Sequence, residues 1–170
     1  MTAGFLHGGL LHILMNSWVL FDLGAQVEEI YGASRMWVIY FIAKGAGFLA
    51  SAWWNPGVSI GASAGICGLL GAMIALGVRH RNPMGAAIRG MYIRWAVYGL
   101  LMGLLPFFAI DNAAHLGGIA GGFVVAYIAG TPGFSKNWER VWQVAAGLAV
   151  GATAFAFVEM FRWLISQVER

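Results

Sequence analysis

Four polar side chains in otherwise apolar segments have the chemistry of a nucleophilic hydrolase. They are Ser63, His115, and the pair His12 and Asn16, which are four residues apart and so share one helix face. A histidine can take the proton of a serine hydroxyl. Imidazole and amide N–H groups can stabilise the oxyanion that forms when that hydroxyl attacks a carbonyl group. Taken singly, each has a structural explanation as well: Ser63 as a helix N-cap, and the other three as hydrogen-bonded residues between helices.

The elements that carry these residues favour the catalytic interpretation. Ser63 starts a glycine-rich segment and His115 lies one turn into another, and such small-residue faces allow two helix backbones to approach closely. With alternating helix directions, all four side chains fall at a similar depth below one membrane surface. Asp111 precedes His115 by one turn and is expected at the surface, so the sequence predicts a Ser-His dyad and no triad.

The composition is that of a membrane domain. Of 170 residues, 60% are apolar and only 10% are charged, and the mean hydropathy is +0.74. Soluble domains carry about 25% charged residues, which excludes a soluble globule, a disordered segment and, despite the net charge of +3, a nucleic-acid module. The one cysteine, Cys67, cannot form an internal disulfide.

Long apolar stretches predict an all-α, polytopic transmembrane helical bundle of about six spans. The predicted spans are residues 5–23, 36–54, 58–78, 94–110, 113–130 and 144–164. Loops after spans one, three and five hold seven Lys and Arg residues against two on the opposite side, which predicts that the basic loops are cytoplasmic. The first span then enters from outside, and we expect that a leading helix precedes residue 1.

Three ordered motifs and a fourth, supporting one give the chain its resemblance to the rhomboid intramembrane serine proteases. The matching segments are His7-Gly8-Gly9-Leu10-Leu11-His12-Ile13-Leu14-Met15-Asn16, Gly61-Ala62-Ser63, Ala114-His115-Leu116-Gly117-Gly118 and Leu23-Gly24-x-x-Val27-Glu28-x-x-Tyr31-Gly32. The resemblance implies a rhomboid-like core in residues 1–130 that lacks its first helix. A cytoplasmic loop at 131–143 and an additional C-terminal transmembrane helix with a short tail at 144–170 would follow.

The resemblance also implies roles for individual residues. Ser63 would be the nucleophile, His115 the general base, and His12 with Asn16 the oxyanion site. Three further residues would support the site: His7, in the first turn of the first helix, Gly61 and Cys67.

The same resemblance implies the substrates and the setting. Substrates would be single-span membrane proteins in the bilayer, with no nucleic-acid partner, no metal and no cofactor. The site would open to the extracytoplasmic side of a bacterial inner membrane. Substrate access would involve the segment 94–108, where Pro106, Phe107 and Phe108 form movable plugs or lipid-facing aromatics.

The sequence departs from the family pattern beside the nucleophile. The usual G-x-S-G appears as Gly61-Ala62-Ser63-Ala64-Gly65, so a methyl group stands next to the serine. Cys67 replaces an aromatic residue that usually packs against the histidine, which predicts a larger cavity and a less firmly held His115.

Two other functions remain open from the sequence. A non-catalytic rhomboid-like protein would bind transmembrane helices without cleaving them. A channel or transporter would use His7, His12 and His115 with Asn16 as a proton or metal path, although zinc prefers three or four converging ligands.

Overall fold

The chain folds into a helical bundle in a computed structural model that describes residues 2–54, 57–105, 110–133 and 135–168. In these ranges a 3-10 helix at Thr2–Phe5, here called the N-terminal turn, is followed by six α-helices and no strand. The helices are α1 (Leu10–Tyr31), α2 (Ala33–Trp54), α3 (Ser63–Arg79), α4 (Pro83–Met102), α5 (Asn112–Ala129) and α6 (Lys136–Val168). The prediction of an all-α bundle is confirmed.

Glycines bring α2, α3 and α5 into backbone contact at the centre of the bundle. A Cβ atom on Gly118 of α5 would overlap the carbonyl oxygen of Ala64 in α3. One on Gly47 of α2 would lie 2.8 Å from the Ala64 Cβ and 2.5 Å from the Ala114 carbonyl oxygen. No side chain fits between these backbones, so the first turns of α3 and α5 are held together against α2.

Another part of the bundle has an ordinary apolar core. Val27, Tyr31, Ile39 and Leu69 are fully buried there, on α1, α2 and α3. The Tyr31 hydroxyl donates a hydrogen bond of 3.0 Å to the carbonyl oxygen of Ala72. The end of α1 is thereby fixed to the middle of α3.

Among the described residues, four helices are long and apolar enough to cross a membrane: α1, α2, α5 and α6. Helix α3 is apolar but has 17 residues, and α4 has 20 residues, among them Arg89 and Arg94, but does not reach the same mean hydropathy. Many large apolar side chains on α1, α2 and α6 face outward, which suits a bundle with a lipid-facing surface.

Helix α1 differs from its predicted span at both ends. It begins at Leu10, so His7 precedes the helix, and the expectation that His7 lies in its first turn is wrong. It also continues through Glu28 and Glu29 to Tyr31, a stretch that the hydropathy pattern assigned to a loop. Hydropathy marks the part of a helix that suits lipid, whereas the helix itself ends only at Gly32, where φ is +77°.

Helix α4 begins eleven residues before the predicted span. The Asn82 side chain caps it by accepting a 2.8 Å hydrogen bond from the Gly85 N–H, and Pro83 is its first residue. The helix ends at Met102. The sequence-predicted plug Pro106–Phe108 therefore lies beyond α4, outside the described residues.

Helix α6 begins at Lys136, within the predicted loop 131–143, and its polar first turns are held by an ion pair. The Arg35 guanidinium donates two hydrogen bonds to the Glu139 carboxylate, at 2.5 and 2.9 Å. Arg35 is 2% exposed. This bidentate contact fixes the start of α6 beside the start of α2.

Candidate active site

Ser63 is the first residue of α3, at the centre of the predicted site. The N-cap position belongs to Ala62, and no side chain caps this helix. The explanation of Ser63 as an N-cap is therefore wrong. Gly61, two residues earlier, has a φ of +113°, a conformation that L side chains rarely adopt.

His12 and Asn16 converge on Gly61 from α1. A Cβ atom added to Gly61 would lie 2.9 Å from His12 Nε2 and 3.5 Å from Asn16 Nδ2. Asn16 is buried, and its Nδ2 has no hydrogen-bond partner in the described part of the chain. Two nitrogen atoms from adjacent turns of α1 thus lie beside the peptide that leads into Ser63.

A backbone contact sets the tautomer of His12. The Gly8 N–H donates a 3.2 Å hydrogen bond to His12 Nδ1, which must therefore be unprotonated. In a neutral imidazole the proton is then on the other nitrogen, Nε2. Nε2 is the atom that faces Gly61, so His12 offers an N–H donor on the same side as Asn16.

His115 is the fourth residue of α5 and is buried, with 9% of its surface exposed. The chain segments at Ser63 and His115 approach each other, because their neighbours Ala64 and Ala114 both contact the Gly47 position. The two side chains themselves are not joined by a direct hydrogen bond in the described structure.

Asp111 is occupied by other contacts. Its Oδ1 accepts a 3.0 Å hydrogen bond from the Ala114 N–H and so caps α5, and its Oδ2 accepts one from the Ser51 hydroxyl of α2. Burial opposes ionisation of this carboxyl, but these hydrogen bonds outweigh it and hold its pKa below the usual value. Asp111 is partly buried, and its two hydrogen bonds tie α5 to α2.

His7 lies in the segment between the N-terminal turn and α1. Its Nδ1 is 3.2 Å from the Phe5 carbonyl oxygen, and its ring packs edge-on against the His12 ring at 5.0 Å between centroids. His7 thus contacts His12 from outside the helix. Its supporting role remains a prediction.

Cys67 lies on α3 one turn after Ser63 and is a partly exposed free thiol. The predicted cavity between this residue and His115 remains a prediction. In the described ranges, the candidate site included, no three His, Cys, Asp or Glu side chains come together as a metal site requires.

Comparison with known proteins assigns the family. The family model for the rhomboid domain matches residues 1–132. The chain is 35% identical over 153 residues to the rhomboid protease GluP of Bacillus subtilis, which covers 89% of this chain and 30% of that protein. It is 34% identical over 132 residues to RHOMBOID-like protein 1 of Arabidopsis thaliana, covering 75% and 33%.

A third relative has a different status. Inactive RHOMBOID-like protein 8 of Arabidopsis thaliana is 33% identical over 121 residues, covering 69% of this chain and 34% of that protein. The chain spans about a third of the length of these curated relatives. The family match and the four membrane-spanning helices together make this an integral membrane protein, and the chain belongs to the rhomboid family.

Proposed function

We propose that this protein is an intramembrane serine endopeptidase in which Ser63 is the nucleophile and His115 the general base. The observation that carries the proposal is the convergence of His12 Nε2 and Asn16 Nδ2 on Gly61, two residues before Ser63. An unpartnered buried amide is costly unless a ligand uses it. A carbonyl oxygen that becomes negative during attack by Ser63 is such a ligand.

The reaction would proceed in two halves. The Ser63 oxygen attacks the peptide carbonyl carbon while His115 takes its proton, and the carbonyl oxygen becomes an oxyanion between His12 and Asn16. The C–N bond then breaks, and His115 gives the proton to the leaving amine, which leaves an ester on Ser63. A water that gives its proton to His115 attacks this ester, the bond between the acyl carbon and the Ser63 oxygen breaks, and His115 returns the proton to that oxygen as the carboxylic acid product leaves.

No direct hydrogen bond joins Ser63 and His115 in the described structure, which is compatible with this sequence of steps. Hydrogen bonds between nucleophile and base are often longer before the substrate binds and tighten in the complex. The close backbone packing of α3 on α5 at Gly118 and Ala64 keeps the segments that carry Ser63 and His115 near each other.

The substrates would be single-span membrane proteins, cleaved in or near the transmembrane helix. Support comes from the relative named rhomboid protease GluP and from the lipid-facing surface of this chain. The Lys and Arg distribution supports a site that opens to the extracytoplasmic side. A bacterial inner membrane is the proposed location. Helix α3 is about 25 Å long, shorter than the roughly 30 Å hydrocarbon core, so Ser63 would lie below the membrane surface.

Labelling with a fluorophosphonate probe tests this function, because only an activated serine reacts. We expect the complete gene product in detergent to be labelled, and Ser63→Ala and His115→Ala to abolish labelling. Ser17→Ala, which removes an exposed serine of α1, is the matched control and should label like the wild type. Labelling that survives Ser63→Ala contradicts the proposal.

The alternative is a non-catalytic protein that binds transmembrane helices. It is favoured by the missing hydrogen bond between Ser63 and His115 in the described structure and by the relative named as inactive. A folded wild type that the probe does not label, yet that retains a transmembrane helix in pull-down, would support it.

A further inference from the structure

Lys44 is a buried cation with no place in the proposed reaction. It lies midway along α2, is 2% exposed, and its Nζ has no hydrogen-bond partner in the described part of the chain. An ionisable side chain in a membrane-spanning helix is costly, and it is by default a candidate functional residue. The surroundings of Nζ indicate its role.

Three aromatic rings surround the ammonium group. Its Nζ is 4.4 Å from the ring centroid of Phe5, 4.5 Å from that of Phe41 and 5.5 Å from that of Tyr40. A cation over an aromatic face within about 6 Å is attracted to it, and more strongly where water is excluded. Phe41 and Tyr40 belong to the same helix, whereas Phe5 belongs to the N-terminal turn, so the charge attaches that turn to α2.

The lysine stem makes a second contact with the turn. A Cβ atom on Gly4 would lie 2.5 Å from Lys44 Cδ, and Gly4 itself is buried. The turn therefore rests directly on the Lys44 side chain through Gly4 and over its end through Phe5.

The N-terminal turn in turn contacts the candidate active site at two points. The Ala3 carbonyl oxygen accepts a 3.0 Å hydrogen bond from the Gly61 N–H, in the peptide segment that leads to Ser63. The Phe5 carbonyl oxygen lies 3.2 Å from Nδ1 of His7, whose ring packs on His12. Both the strained Gly61 and the oxyanion histidine are thus supported by this one turn.

We propose that Lys44 is a positioning residue for the serine site. Its ammonium group holds the N-terminal turn on α2, and the turn fixes Gly61, and through His7 the ring of His12, relative to Ser63. The inference rests on the proposed protease function for its effect on catalysis. The mechanical part, the hold on Gly61, does not depend on catalysis.

The test compares Lys44→Met, which keeps the length of the stem and removes the charge, with Lys44→Arg, which keeps a cation. Lys136→Met is the matched control, because Lys136 is the other lysine of the chain and is exposed at the start of α6. Phe5→Leu removes the ring that belongs to the turn. All four variants are made in the complete gene product in detergent micelles.

Two readouts separate positioning from folding and from activity. Hydrogen exchange of the Gly61 amide reports the hold on the turn, and the rate of fluorophosphonate labelling reports the serine. Misplacement of a group by about 1 Å can cost up to roughly a hundredfold in rate. For Lys44→Met we expect labelling to be slower by about tenfold to a hundredfold and Gly61 exchange to be faster, while helix content is kept.

The remaining variants fix the interpretation. Lys44→Arg should retain most of the wild-type labelling, and Phe5→Leu should behave as Lys44→Met does. The double variant of Lys44→Met and Phe5→Leu should be no worse than either single variant, because both changes break one contact. Wild-type Gly61 exchange in both Lys44→Met and Phe5→Leu would overturn the inference. If the probe does not label the wild type but Gly61 exchange is still faster in Lys44→Met and Phe5→Leu, the positioning role is kept and the protease function is rejected.

Discussion

At the scale of single residues, the site depends on which N–H groups are left free. Asn16 Nδ2 is buried without a partner in the described chain, and the Gly8 contact leaves the proton of His12 on the nitrogen that faces Gly61. A fold that needed these groups only for its stability would have paired them. Their common direction towards Gly61 is what links them to an oxyanion.

Asn16→Ala should lower kcat without lowering stability. The amide nitrogen has no partner to lose in the described structure, whereas removal of one oxyanion donor costs about a hundredfold to a thousandfold in kcat. Cleavage kinetics and the thermal midpoint measure the two effects. Asn137→Ala, at an exposed position of α6, is the control, and an unchanged kcat in Asn16→Ala would remove Asn16 from the site.

Cys67→Phe should be tolerated and should hold His115 more firmly. The prediction follows from the aromatic residue that rhomboid proteases usually carry at this position, one turn after the nucleophile. Overpacking of a filled core costs about 1–3 kcal/mol, so an unchanged thermal midpoint would show that space exists. A loss of that much free energy of unfolding would show that no cavity lies between Cys67 and His115.

The candidate residues of the site stand out in the sequence, but their contacts do not. Ser63, His115, His12 and Asn16 stand out because polar groups are rare in apolar segments. The tautomer of His12 and the aromatic rings around Lys44 could not be predicted in this way, because they depend on contacts with Gly8 and Phe5 that only the folded structure shows. The same holds for Asp111, whose partner Ser51 is 60 residues away.

At the scale of the elements, a local signal marks a helix start that the hydropathy pattern did not predict. Asn82 and Pro83 mark the start of α4 as cap and first residue, yet the apolar stretch that was used for the prediction begins only at residue 94. The polar first turns of α6 were assigned to a loop because nothing local shows that Glu139 pairs with Arg35, 104 residues earlier.

Glu139→Gln should lower the thermal midpoint in detergent. It removes the partner charge of the buried Arg35 and loosens the attachment of α6 to α2, and an unpaired buried charge is strongly destabilising. Glu159→Gln is the matched control, since Glu159 pairs with Arg162 in an exposed contact within α6 that contributes little. Equal midpoints for the two variants would mean that the Arg35 pair does not hold α6.

At the scale of the whole molecule, the basic residues at the starts of α2 and α6 and at the end of α3 lie at the end of the bundle opposite the candidate site. Arg35 pairs with Glu139 at the starts of α2 and α6, and Arg79 at the end of α3 donates to the Tyr127 carbonyl oxygen near the end of α5. Ser63 is at the start of α3 and His115 is near the start of α5, at the ends opposite Arg79 and Tyr127. This arrangement supports one basic, cytoplasmic face and a site near the opposite face.

Reporter fusions test that orientation. A reporter after Arg81, between α3 and α4, should be active on the cytoplasmic side, because the Lys and Arg bias places that loop there. A reporter placed after Pro56, in the connection between α2 and α3, should report the opposite side. The same side for both fusions would contradict the arrangement of the helices across the membrane.

Cleavage of a single-span membrane substrate by dyad variants tests the central claim most directly. The complete gene product, its Ser63→Ala and His115→Ala variants and the double variant are compared for kcat/KM in detergent or liposomes, with Ser17→Ala as the control. Residues that act as one unit have non-additive effects. We therefore expect each single change to abolish cleavage and the double variant to be no worse than either, with all proteins inserted and folded. Wild-type cleavage by Ser63→Ala would contradict it.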